Sequence, residues 1–258
     1  MRHFLEFIAV ITASFILLML YSVIDYKAYF FGVEIKKAEF SNFFTAPSTL
    51  PILVEAQKDT IVVLEEKRKT DTSAQRLLLI GDSMLEGLMK RVTDYRVFNG
   101  HDQKTVLWYS SSTKTFGTND TLQHYIRAYK PTFIIISLGS NEMFYSKIKE
   151  KRKIYVENIL EDLDTIPFVW IGPPNWKEDT GINELIEEMI GEDRYFLSKN
   201  LSFQRTKDGI HPTHSSSRVW MDSVACWIEK KSKYPIKMAF PDKRYKQSHN
   251  VTILSSPK

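Results

Sequence analysis

A chain of 258 residues with 35 Lys and Arg against 31 Asp and Glu carries a net charge of only +4. No nucleic-acid-binding motif accompanies that charge, and the basic clusters at Lys147 to Lys153 and Lys230 to Lys233 read as solvated helix faces, which excludes a nucleic-acid partner. The single cysteine, Cys226, excludes an internal disulfide and a cysteine-based zinc site, and its amphipathic setting, Val219 to Ile228, predicts a packed core thiol.

The N-terminal stretch differs in kind from the rest. After Arg2 and Glu6, the run Phe7 to Ile24 has no charged residue, and its length is at the lower limit for a helix crossing a bilayer. Tyr21 and Tyr26 fall where aromatic side chains favour the membrane interface. A cleaved signal peptide is the rival reading, but Tyr21 to Tyr26 holds no convincing small-x-small site. Residues 1–26 are therefore expected to form a membrane anchor or signal segment. Residues 27–74 form a connector, aromatic at first and then bearing Pro47 and Pro51, with a short element expected at Ile61-Val62-Val63-Leu64. The connector is expected to pack on the following domain or to lie near the membrane surface.

From Arg76 onward the pattern is regular. Apolar runs predict strands at 76–80, 105–109, 132–138 and 167–172, with a short one at 194–197. Between them, helical periodicity falls near 84–93, 118–129, 151–163, 181–190 and 213–230, with Pro212 in the first turn of the last helix. Alternation of this kind predicts an α/β fold with three α/β/α layers and a mostly parallel, flavodoxin-like sheet of about five strands. The domain spans 75–231, and 232–258 reads as a basic polar tail without assigned structure.

Four short blocks sit where these strands end, and open α/β sheets gather their chemistry there. Gly81-Asp82-Ser83 follows Leu77-Leu78-Leu79-Ile80. Ser110-Ser111-Ser112-Thr113 follows Val106-Leu107-Trp108-Tyr109, and Gly139-Ser140-Asn141 follows a third apolar run. Asp208-Gly209-Ile210-His211 precedes the last helix. A serine hydroxyl becomes nucleophilic only when a base takes its proton. The Asp208/His211 spacing lets a carboxylate orient an imidazole within one loop, so His211 is the candidate base toward Ser83 and Asp208 its orienter. Asn141 and the amides of Ser83 and the Ser112 region are candidate oxyanion donors. Asp82, beside Ser83, and Trp176, in Val169-Trp170-Ile171-Gly172-Pro173-Pro174-Asn175-Trp176, are candidate substrate contacts. His214 is expected on an exposed first turn.

Taken together the blocks resemble the SGNH/GDSL hydrolase superfamily, over roughly residues 76 to 230. The resemblance implies Ser83 as nucleophile, Asn141 as oxyanion donor, Asp208 as orienter and His211 as base, with no metal or cofactor. Two positions depart from the family pattern. Ser112 stands for the second-block glycine, and Glu142 follows Asn141 in place of the usual Asp, where it is expected to support the loop. Gly-Asp-Ser-Met and Trp-Ile-Gly-Pro-Pro, together with the anchor, look like a bacterial cell-envelope branch of esterases and O-acetyltransferases.

The expected activity is thus a serine esterase cleaving a carboxylic ester, an O-acetyl group on an envelope carbohydrate, from outside the cytoplasm (periplasmic or extracytoplasmic). An O-acetyltransferase using the same residues, with a membrane-bound O-acyltransferase as partner, and a non-catalytic glycan-binding scaffold are the alternatives.

Overall fold

Apolar runs bounded by turn residues become neighbouring strands of one parallel sheet. The computed structural model describes residues 29–30, 33–34, 68–246 and 250–254. The chain divides into two units, Met1–Val63 and Leu64–Lys258. Within the first, β1 (Tyr29–Phe30) and β2 (Val33–Glu34) pair antiparallel, inside the stretch expected to be a connector. The expected anchor at 1–26 and the expected short element at Ile61 to Leu64 lie outside the described residues. Among the described residues no helix is long and apolar enough to cross a membrane.

The second unit runs β3 (Arg76–Gly81), α1 (Ser83–Asn99), β4 (Asp102–Trp108), α2 (Thr113–Gly117), α3 (Thr121–Tyr129), β5 (Phe133–Ser137), α4 (Ile148–Leu163), β6 (Phe168–Ile171), α5 (Ile182–Ile190), β7 (Tyr195–Phe196), α6 (His214–Lys230) and β8 (Asn250–Leu254). The sheet order is β7-β6-β5-β3-β4-β8, and every pairing is parallel. The chain leaves β3 for β4 on one side, then recrosses β3 to build β5, β6 and β7 on the other. That reversal puts a topological switch at the C-terminal end of β3, where such sheets open a crevice.

Burial explains why the strands read as continuous apolar runs rather than alternating ones. Leu77 and Leu79 face one layer with Leu85, Leu88 and Val92 of α1 and Trp220, Met221 and Val224 of α6. Leu78 and Ile80 face the other, with Phe116 of α2, Leu122 of α3, Val156 and Ile159 of α4, and Ile182 and Ile186 of α5. A sheet covered on both faces selects apolar side chains at successive positions. Each fully buried Leu or Ile contributes roughly 1.5–3 kcal/mol.

Gly81 is required by the close approach of β3 and β5. A Cβ there would lie 2.4 Å from the Ser137 carbonyl oxygen, which accepts the Asp82 amide at 3.0 Å. Gly81→Ala is expected to lower the unfolding free energy by roughly 1–3 kcal/mol. Urea unfolding checks this, and an unchanged midpoint would contradict the close-packing account.

Four expectations are corrected. The sheet has six strands rather than about five, because β8 comes from the tail. Lys104 Nζ donates to Asn250 Oδ1 at 2.8 Å and to Thr252 Oγ1 at 2.7 Å, helping to fasten that edge strand. Strand β4 starts at Asp102, since its polar Gln103 is buried and bonded to Thr93 and Thr105. Pro212 precedes the last helix, whose N-cap is Thr213. Cys226 is exposed, because the buried stripe of α6 runs through Ser217, Trp220, Met221, Val224, Ala225 and Ile228 and leaves it on the outer face.

Candidate active site

The turn from β3 into α1 places Ser83 as the first helical residue, directly above the switch point. Asp82 is the N-cap, and its Oδ1 accepts the Met84 amide at 2.9 Å. This cap aligns the helix so that Ser83 stands at the positive end of the α1 dipole. The Ser83 amide donates to no group among the described residues and is left for a ligand.

His211 and Asp208 reach the same point from the loop before α6. His211 Nε2 lies 2.8 Å from Ser83 Oγ, and His211 Nδ1 lies 2.7 Å from Asp208 Oδ2. With Nδ1–H donated to the carboxylate, Nε2 presents its lone pair to the serine hydroxyl. Gly209 takes a left-handed φ of 70°, which turns the loop so that Asp208 Oδ1 accepts the Ile210 amide at 2.8 Å and the His211 amide at 3.0 Å. Thr206 Oγ1 also donates to Asp208 at 2.7 Å. The His211 hydrogen bond, then these donors, hold the Asp208 carboxyl well below its usual range, so it stays ionised although exposed to solvent.

The loop is pinned from below by Arg205, which the sequence reading did not single out. Its guanidinium donates to the Ile210 carbonyl and, at 2.7 Å, to the Asn175 carbonyl. It thereby joins the histidine loop to the loop after β6. An arginine in a loop has no sequence signal of its own, since its partners are backbone carbonyls from distant segments.

The candidate oxyanion donors divide. Asn141 Nδ2 donates one N–H to the Ser111 carbonyl at 2.9 Å, which fixes the amide and leaves its second N–H free for a ligand. Ser112 is placed differently from expectation. Its side chain caps α2, and its amide donates to Thr115 Oγ1 at 3.2 Å in a reciprocal capping box. That engaged amide makes Ser112 a helix cap in this structure, leaving the Ser83 amide and Asn141 as the open donors.

Beneath Asn141 lies a buried ion pair. Glu142 is fully buried and accepts the Thr113 amide at 2.7 Å, the Thr113 hydroxyl at 2.9 Å and the Arg152 guanidinium. Tyr145 and Tyr155 flank Arg152. Glu142 thus supports the loop as expected, by tying the second and third blocks to α4.

Asp82 corrects a second expectation. At 0 % exposure it has no surface to offer a substrate and serves as a buried cap. Burial pushes its carboxyl up to about 7, against the opposing Met84 and Ser140 amides, and Glu142 adds to the rise. A folded value above the unfolded one of 3.8 means the folded chain binds this proton more tightly. The group's contribution is therefore complete below about pH 4 and lost as pH rises toward 7. Asp82→Asn keeps an acceptor for Met84 and does not ionise. Its stability relative to wild type is expected to improve across that window and level off above it. Urea midpoints across the acid-to-neutral range test this, and a constant difference would contradict it.

Trp176 is half-buried, and its Nε1 donates to the Ser140 carbonyl at 3.4 Å. Its ring meets Phe144 edge-on at 6.1 Å, with Lys177 Nζ 4.9 Å from the Trp176 ring centroid. Phe144 and Tyr145 are 49 % and 41 % exposed, an aromatic surface beside the third block that the sequence reading did not identify. His214 is exposed on the first turn of α6, as expected.

No family model and no curated protein matches the chain. Solved structures similar to it include the psychrotrophic esterase EstA from Pseudoalteromonas sp., at 16 % identity and a TM-score of 0.41, covering 58 % of this chain and 93 % of that one. TesA is similar at 18 % identity and a TM-score of 0.42, over 58 % of this chain and 96 % of its own. A G-D-S-L family protein from Desulfitobacterium hafniense DCB-2 is similar at 15 % identity and a TM-score of 0.39, over 58 % and 97 %.

Proposed function

We propose that the chain is a serine esterase of the SGNH type, cleaving a carboxylic ester through an acyl-serine intermediate, with an O-acetyl group on an envelope carbohydrate as its substrate. The observation that carries the esterase chemistry is the unbroken line from Asp208 Oδ2 through His211 to Ser83 Oγ, at 2.7 Å and 2.8 Å. Ser83 Oγ attacks the acyl carbon while its proton passes to His211 Nε2. The developing oxyanion meets the Ser83 amide and the free N–H of Asn141. His211 returns the proton to the departing sugar oxygen, and the alcohol leaves. Water then gives a proton to His211 and attacks the acyl-serine, and His211 passes that proton to the departing Ser83 Oγ, which releases the carboxylic acid and restores both residues.

The aromatic surface of Trp176, Phe144 and Tyr145 supports a carbohydrate substrate, because apolar sugar faces pack on exposed rings. The uncharged run Phe7 to Ile24 supports a membrane-tethered location with the esterase outside the cytoplasm. The test is acetate release from O-acetylated glycan by the purified protein with no added acceptor. Steady release supports the esterase. Acetyl transfer to an added sugar acceptor that outpaces acetate release would assign the same acyl-enzyme to a transferase, and no release together with no acetyl transfer would overturn both.

A further inference from the structure

Away from Ser83, a second set of side chains converges where the esterase mechanism has no use for them. A cleft of about 800 Å³ runs between α1 and the first turns of α6, with the tail at its rim. Lys90, Arg91, Arg218 and Arg244 line it with Asp94, and Asp222 sits on Arg91 behind the wall, which leaves an excess of two positive charges.

Asp94 offers no relief to that excess. Its Oδ2 accepts Arg91 Nη1 at 2.9 Å and its Oδ1 accepts the Tyr245 amide at 2.8 Å. Lys90, Arg218 and Arg244 have no acidic partner among the described residues. Arg91 is only 3 % exposed. Its Nε donates to Asp222 at 2.6 Å, and its Nη2 has no hydrogen-bond partner among the described residues. Its guanidinium lies 5.1 Å from the Tyr95 ring centroid and 4.9 Å from that of Phe240, which with Asp94 and Asp222 holds this cation rigidly in the cleft wall. The N-terminus of α6 opens on the same cleft through Thr213, adding the positive end of a 17-residue helix.

We propose that this cleft is an anion subsite that takes a phosphate or phosphodiester group. Lys90, Arg218 and Arg244, without a carboxylate partner among the described residues, call for more than the single charge of a carboxylate. Guanidinium forks and tetrahedral phosphate oxygens match in geometry as well as charge. The volume exceeds what one inorganic ion needs and suits a phosphorylated sugar. Gly87 on the cleft wall follows Ser83 by four residues, about 6 Å along the helix. Thr213 follows His211 by two. On this proposal a phosphate-bearing carbohydrate lies in the cleft, whose wall starts one helical turn from Ser83, and extends its ester toward that residue. This assignment to the substrate rests on the esterase reading; the anion site itself does not.

Two experiments separate these. Binding of pyrophosphate and glucose 6-phosphate to the full-length protein, read calorimetrically, needs no turnover. Binding that weakens at least about tenfold in Arg218→Gln and Arg244→Gln and falls with added salt is expected, with none for glucose. No binding at millimolar concentration, or binding indifferent to both substitutions, overturns the subsite whatever the esterase result. The kcat/KM ratio for an acetylated sugar phosphate over its neutral counterpart then identifies the source. A ratio above unity that collapses in the same variants assigns the phosphate to the substrate. A ratio of unity, with variant-sensitive sedimentation on phosphatidylglycerol but not phosphatidylcholine vesicles, keeps the anion site and assigns the phosphate to a lipid headgroup. Intact binding with neither ester cleaved would instead sink the esterase reading and leave the subsite standing.

Discussion

Ser83→Ala is expected to lower kcat/KM on an acetyl ester by roughly 10³- to 10⁶-fold while leaving the fold intact. The side chain is a single hydroxyl at the first residue of α1, and the helix cap is supplied by Asp82 rather than by Ser83. Removing the hydroxyl deletes the attacking atom and leaves His211 with nothing to deprotonate. The Ser83 amide and Asn141 persist, so the residual rate reports what oxyanion stabilisation and binding achieve alone. Circular dichroism and urea unfolding alongside the kinetics keep the result interpretable. A variant that folds normally and retains full activity would show that the acyl group never resides on Ser83.

Glu142→Ala is expected to cost about 3–5 kcal/mol of stability and to depress turnover as well. The substitution removes the acceptor for three donors at once: the Thr113 amide, the Thr113 hydroxyl and the Arg152 guanidinium. Arg152 is then left charged and unpaired in a largely buried position, which is the larger share of the cost. Turnover falls because Asn141 is the preceding residue and its amide is held against the Ser111 carbonyl by the same pair of loops. Glu142→Gln retains an acceptor for Thr113 and should lose less than Glu142→Ala on both measures. Equal urea midpoints for wild type and Glu142→Ala would refute the role assigned to this ion pair.

The central strands are legible in the sequence because burial on both faces leaves no polar interruption in Leu77 to Ile80 or Phe133 to Ile136. Residues missed or misplaced share a different character. The sequence predicts the helix over 84–93 and the strand over 105–109, yet α1 runs on to Asn99 and β4 starts at Asp102, and Gln103, Arg91, Asp94 and Asn99 are buried. Their cost is met by partners far along the chain, such as Asp222 for Arg91 and Ala239 for Asn99. Nothing local in a sequence announces such pairings. Strand β8 is hidden for a related reason, since an edge strand is selected for pairing on one side only and its burial pattern is weak.

The site divides along the same line. Ser83, Asp208 and His211 are legible because strand ends and a two-residue gap place them, and the backbone alone nearly determines their meeting. Arg205, Thr113 and Arg152 act through contacts between segments that only the folded chain brings together. Asp82 was misassigned because adjacency to the nucleophile in sequence does not fix which way a side chain points. At the N-cap it turns inward, toward Met84 and the third block. Ser112 shows the converse case, a residue at the expected place whose amide is taken by its own helix.

The most direct test of the account is reaction of the full-length protein with a fluorophosphonate probe, followed by mapping of the labelled peptide. Stoichiometric labelling on Ser83, abolished in Ser83→Ala and strongly slowed in His211→Ala, is the predicted result. No labelling of the wild type, or labelling that persists unchanged in Ser83→Ala, would contradict an activated nucleophile at the end of β3.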